Sequence, residues 1–130
     1  MRRTLSGILI ATFGILLLEG CGGPCGTNIL CKKNREAMPN LLTRMEPEEV
    51  VFVMKGRPYK TEYYRGKKGE EIIVYDYLTN LTDNTSEITD INLTPIFFVN
   101  YELVGWGSPY WETVLSKYKP VVEKPSVVQR

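Results

Sequence analysis

The chain has 130 residues, 43% of them hydrophobic and 24% charged, and a formal net charge of +1. That length suits one small domain. There is no histidine, which excludes Ser-His-Asp and Cys-His catalysis and any zinc site built on imidazole. The balanced charge leaves no long-range field to draw in nucleic acid.

Residues 1–20 have the pattern of an export signal peptide. Arg2 and Arg3 are followed by Gly7–Leu18, an uncharged apolar run of 12 residues. Spanning a bilayer takes about 18–20 such residues, so the run is the size of a signal-peptide core instead. It ends in Leu18-Glu19-Gly20-Cys21, which resembles the lipobox of bacterial lipoproteins. The resemblance implies diacylglyceryl transfer to the Cys21 thiol and cleavage before it, which makes Cys21 the expected lipidation site. An uncleaved signal anchor is the competing reading. Each buried acyl methylene contributes about 0.8 kcal/mol, so several chains hold a domain at a membrane without crossing it. Gly22, not aspartate, follows the cysteine. By the sorting habit of such lipoproteins this resembles an outer-membrane address. The expected location is the bacterial cell envelope, lipid-anchored, on the periplasmic face of the outer membrane if the source is Gram-negative.

Cleavage removes Arg2, Arg3 and Glu19 and leaves 14 basic and 14 acidic residues. Steering by net charge is then not the mode of recognition. With Cys21 acylated, Cys25 and Cys31 remain as an even pair. In an oxidising compartment they are expected to form a disulfide. Closing so short a loop is worth about 2 kcal/mol. Residues 21–35 read as a tether, Gly- and Pro-rich over Gly22–Thr27, leading into a domain at 36–118.

The strongest helix signal is Pro47 to Lys55. Proline suits the first helical position, and Glu48 and Glu49 put negative charge in the first turn. Val50, Val51 and Met54 give a core-facing stripe, Gly56 offers a C-cap, and Pro58 blocks continuation. The period then shortens. Lys60–Arg65 predicts a strand, Gly66–Gly69 a turn, and Glu71–Leu78 the strongest strand. In the latter Ile73, Tyr75 and Tyr77 share one face, and Ile72, Val74 and Asp76 the other. Thr79–Asn92 is polar and aperiodic, a long loop. Thr94–Val99 and Glu102–Trp106 predict two more strands around a turn at Asn100-Tyr101. A last helix is expected at Glu112–Tyr118, then an extended tail over 119–130. The expected fold is α+β: short N-terminal helices packed on a three- to four-stranded antiparallel sheet.

Three patches in this order carry a family resemblance. They are Pro47-Glu48-Glu49-Val50-Val51 with Met54 and Gly56-Arg57-Pro58, then Val74-Tyr75-Asp76-Tyr77, then Pro95-Ile96-Phe97-Phe98 with Leu103-Val104. Together with the lipobox they resemble the SmpA/OmlA (BamE-like) lipoproteins over roughly residues 40–106. The resemblance implies two helices on a three-stranded antiparallel sheet and a non-catalytic role in envelope or outer-membrane assembly. No binding residue of that family carries over to this chain.

The residues themselves offer few chemical groupings. Trp106, Tyr110 and Trp111, among Gly, Ser and Pro, form either a partner- or ligand-binding surface or a cap on a small core. Tyr59, Tyr63, Tyr64, Tyr75 and Tyr77 suit strand faces. Arg65, Lys67 and Lys68 suit a solvated hairpin tip or contact with anionic headgroups. Asn80, Asn84 and Asn92 open glycosylation sequons, read as chance in a bacterial lipoprotein. No catalytic residue, metal ligand or cofactor site is expected. The functional expectation is an interaction or scaffold module, with the membrane through its anchor and an envelope protein as partners and no nucleic acid. The alternatives are a ligand-binding lipoprotein using Trp106–Trp111 and a small hydrolase inhibitor.

Overall fold

Alternation along one strand sets the architecture. In the computed structural model, which describes residues 24–81 and 87–128, the chain forms three helices and five strands. These are α1 (Pro24–Ala37), α2 (Pro47–Met54), β1 (Lys60–Arg65), β2 (Glu71–Leu78), β3 (Leu93–Val99), β4 (Glu102–Trp106), α3 (Tyr110–Tyr118) and β5 (Val121–Val128). All strand pairs are antiparallel, in the order β4-β3-β2-β1-β5. β2 is central and buried on both faces, which explains its nearly unbroken apolar sequence.

One face of the sheet carries α1 and α2. There Ile73 and Tyr77 of β2 meet Ile96, Phe98 and Leu103 of β3 and β4, and Val50 and Met54 of α2. The other face carries α3, where Val114 packs on Ile72, Val74 and Phe97. The fold is therefore α+β as expected, with the sheet between two helical layers.

The ends of α2 follow its sequence. Pro47 opens it and Glu48 and Glu49 fill its first turn. Its stop differs by one residue: Lys55, not Gly56, takes the left-handed conformation, with φ 59°. The Gly56 N–H then reaches back to the Val51 carbonyl at 3.1 Å, completing a Schellman-type end. Tyr77 Oη donates to the Gly56 carbonyl at 2.8 Å and ties this corner to the sheet.

Three expectations need correction. Residues 24–35, read as tether, belong to α1. Its buried face is Cys31, Asn34 and Ala37, and a polar residue inside that stripe hides the helical period. Asn34 Nδ2 donates to the Leu78 carbonyl at 2.8 Å, and Arg35 donates to the Thr79 carbonyl. The second correction is the Cys25–Cys31 disulfide. Both residues lie in the same continuous helix, where six positions rise about 9 Å, beyond the roughly 7 Å a disulfide can bridge. Cys31 is a free, buried thiol. The third is the tail, which forms β5 along β1. Pro120 and Pro125 argue against a central strand but are compatible with an edge one, and register shifts absorb the irregularity.

The opposite edge is also covered. The Arg44 N–H bonds the Leu103 carbonyl and the Leu103 N–H the Met45 carbonyl, each at 2.8 Å. This pairing blunts the free edge of β4. A register shift in β4 turns both Val104 and Gly105 toward α3. A Cβ on Gly105 would stand 2.6 Å from the Tyr110 ring. Gly105→Ala is expected to destabilise by about 1–3 kcal/mol through overpacking, and by less in a Tyr110→Ala background. Urea denaturation of the four proteins of that cycle measures the coupling.

Candidate binding cleft

The α3 side of the sheet changes character along its strands. Cross-strand neighbours Tyr64, Ile72 and Val99 form one row, Glu62, Val74 and Phe97 the next, and Lys60, Asp76 and Pro95 the third. Paired positions share a face, so each row points toward α3. Trp111 and Val114 cover the apolar rows. Past Trp111 the face opens into a cavity of about 240 Å³, lined by Glu62, Tyr64, Asp76, Asp90, Ser108 and Trp111 above Val74 and Phe97.

The aromatic wall is braced. Trp111 stacks on Phe97 with centroids 5.3 Å apart and planes 18° from parallel. Tyr64 tilts against Trp111 at 5.5 Å. The Tyr64 hydroxyl donates to Glu62 Oε1 at 2.9 Å. Burial and the neighbouring Glu62 carboxylate push the tyrosine's pKa well above its usual value.

Three carboxyls surround one ammonium. Lys60 Nζ stands 3.2 Å from Asp90 Oδ1, 3.7 Å from Glu62 Oε2 and 4.0 Å from Asp76 Oδ2. Burial alone would lower the Lys60 pKa, but the Asp90 hydrogen bond and the surrounding carboxylates raise it, so the lysine stays charged. Asp76 is the group under tension. Only 5% of it is exposed, and Oδ2 has no hydrogen-bond partner among the described residues. Desolvation first, then the hydrogen-bonded Glu62 carboxylate, push its pKa up to about 9, against the weaker pull of Lys60. At neutral pH Asp76 therefore keeps its proton, the expected outcome when a buried carboxyl sits beside another. Among the described residues no group of three or more acidic, cysteine or histidine side chains is arranged to hold a metal ion.

The three aromatics expected to form one surface are divided. Trp106 pairs with Ile96 and packs on the α1/α2 side. Tyr110 lies under Gly105 and against Phe97 at 5.6 Å. Only Trp111 lines the cleft. The division follows from β4 alternation: Trp106 points to one face, and the turn at 107–109 carries Tyr110 and Trp111 to the other. Lys67 and Lys68 are exposed at the β1–β2 hairpin tip, where the Lys67 N–H bonds the Tyr118 carbonyl at 2.8 Å. Cys21, the export signal and Asn84 lie outside the described residues. Lys60, Glu62, Asp76 and Asp90 were not singled out from sequence. Asp76 did carry a signal: a charged side chain on an inward position of an otherwise apolar strand. No family model, curated protein or solved structure matches the chain, and no helix among the described residues is long and apolar enough to cross a membrane.

Two outcomes are expected. The native state holds the Asp76 proton up to about pH 9, whereas the unfolded chain releases it near the ordinary value of 3.8. The folded state thus binds more protons between these values, and stability falls as pH rises through that window. Asp76→Asn removes this component. Its stability advantage over the parent should grow from pH 5 to pH 9, by at most about 1.4 kcal/mol per unit, in thermal melts; a constant difference would contradict the assignment. Cys31 is 2% exposed, and burial raises its thiol pKa. Iodoacetamide should label it many times more slowly in the folded chain than in urea, as read by peptide mass.

Proposed function

We propose that the mature chain is a lipid-anchored protein of the bacterial cell envelope that works without catalysis, holding a small ligand in the α3-side cleft. The anchor rests on the lipobox-like segment ending in Cys21. The binding role rests on one observation: Asp76, 5% exposed with an unpartnered oxygen, lines a cavity walled by Trp111. Titratable groups perturbed by burial and a specific charge partner inside a cleft are candidates for working sites.

A second reading keeps the scaffold role and places it on α2 and the segment before it. Phe52 of α2 is 85% exposed and Leu42 of that segment 66%, apolar surface suited to a protein partner. A photo-crosslinker at position 52 that traps one discrete envelope protein in the native host would favour it.

The anchor is tested by the intact mass of protein recovered from host membranes. A species beginning at acylated Cys21 is expected, and an unmodified chain retaining Met1 would overturn it. The cleft is tested by amide and indole NMR shifts of the intact chain on adding small molecules extracted from the host envelope. Shifts should concentrate at Glu62, Tyr64, Asp76 and Trp111. Shifts confined to α2, or none, would remove the cleft from consideration.

A further inference from the structure

We infer that the cleft takes one neutral pyranose ring, laid against Trp111 with adjacent hydroxyls bonded to Glu62 and Asp76. This rests on the reading of the cleft as the working surface and names its ligand class.

Size gives the first limit. A volume of about 240 Å³ lies below the roughly 300–1,000 Å³ of pockets for drug-sized ligands, which suits a ligand the size of a single sugar ring. Shape gives the second. Trp111 is a flat apolar wall held by Phe97 and Tyr64, suited to the C–H face of a saturated ring.

Charge gives the third. Glu62 and Asp90 are both within ion-pair distance of Lys60, so an incoming cation competes with an ammonium already in place. An anion meets three carboxyls lining the cavity. What remains is a neutral ligand whose groups both donate and accept. Vicinal hydroxyls do this: one donates to the Glu62 carboxylate, and another pairs with Asp76, whose buried Oδ2 has Lys60 at 4.0 Å but makes no hydrogen bond. Ser108, also on the lining, adds a hydroxyl at the rim.

The test uses the intact chain carrying Trp106→Phe, which leaves Trp111 as the single tryptophan of the original two. Its emission is followed during titration with methyl glucopyranoside, methyl galactopyranoside, N-acetylglucosamine and spermidine. At least one pyranose should produce a saturable change with a dissociation constant of about 1 mM, ordinary for a ligand of a dozen heavy atoms, and spermidine none. Asp76→Leu, apolar and of similar size, should weaken binding by tenfold or more. Asp76→Asn retains a donor and should stay within about threefold of the parent. Parent-like binding by Asp76→Leu would overturn the role given to Asp76. A saturable response to spermidine alone would overturn the sugar assignment and leave the cleft standing. Silence toward every probe overturns the sugar assignment; the cleft falls with it only when the envelope extract also leaves Trp111 unshifted.

Discussion

Everything in this fold depends on β2 being buried on both sides. A central strand with helices on each face has no solvent side to which a polar residue can be turned. Ile73 and Tyr77 are fixed in one core, and Ile72 and Val74 in the other. A slip of one residue would exchange these sets, so the register is strongly specified. Asp76 is the exception that the register forces inward. Its carboxyl must be paired or protonated, since an isolated buried charge costs far more than a proton. Here both responses occur, with Lys60 set at 4.0 Å and Glu62 hydrogen-bonded beside it.

The same strand organises the helical layers through polar contacts at its far end. Leu78 and Thr79 offer carbonyls to Asn34 and Arg35, and Tyr77 reaches the Gly56 carbonyl. Each bond contributes about 1 kcal/mol net, less than the apolar burial around it. Their main effect is on geometry. Asn34 sits 2% exposed within the α1 face, and only a helix placed over the end of β2 gives its amide an acceptor. These bonds fix where α1 docks, while Cys31, Leu78 and Leu93 close the apolar seam beneath it.

Much of this was legible where a residue's type and its neighbours argued the same way. α2 carries proline and acids at its start and an apolar stripe of helical period. β1, β2 and β4 carry strand period between turn residues, and their bounds match the expectation. The misses share a cause: the decisive partner lies far away in sequence. α1 has a buried asparagine where a helix stripe wants an apolar residue, satisfied 44 residues later at Leu78. β5 contains Pro125, follows Pro120, and becomes a strand because β1 offers it an edge. The cleft was illegible for the same reason. Glu62, Asp76 and Asp90 come from separate segments, and Trp111 joins them because the β4 turn sends α3 across the sheet while Trp106 stays behind.

Why the cleft lies where it does follows from coverage. Five strands at about 4.8 Å spacing make a sheet roughly 19 Å wide. On one face α1 and α2, of 14 and 8 residues, cross it together. On the other there is only α3, of 9 residues, about 13 Å long at 1.5 Å per residue. One helix of that length cannot close the face. The strands adapt to this limit: Ile72, Val74 and Phe97 are apolar where α3 lies, and the face turns polar at Glu62 and in the row through Asp76, where the helix ends. At that boundary a side chain is covered by neighbours but not by a complete core. An apolar group there would expose surface, and a fully solvated charge would not fit under Trp111. A protonated acid between Glu62 and Lys60 meets both conditions.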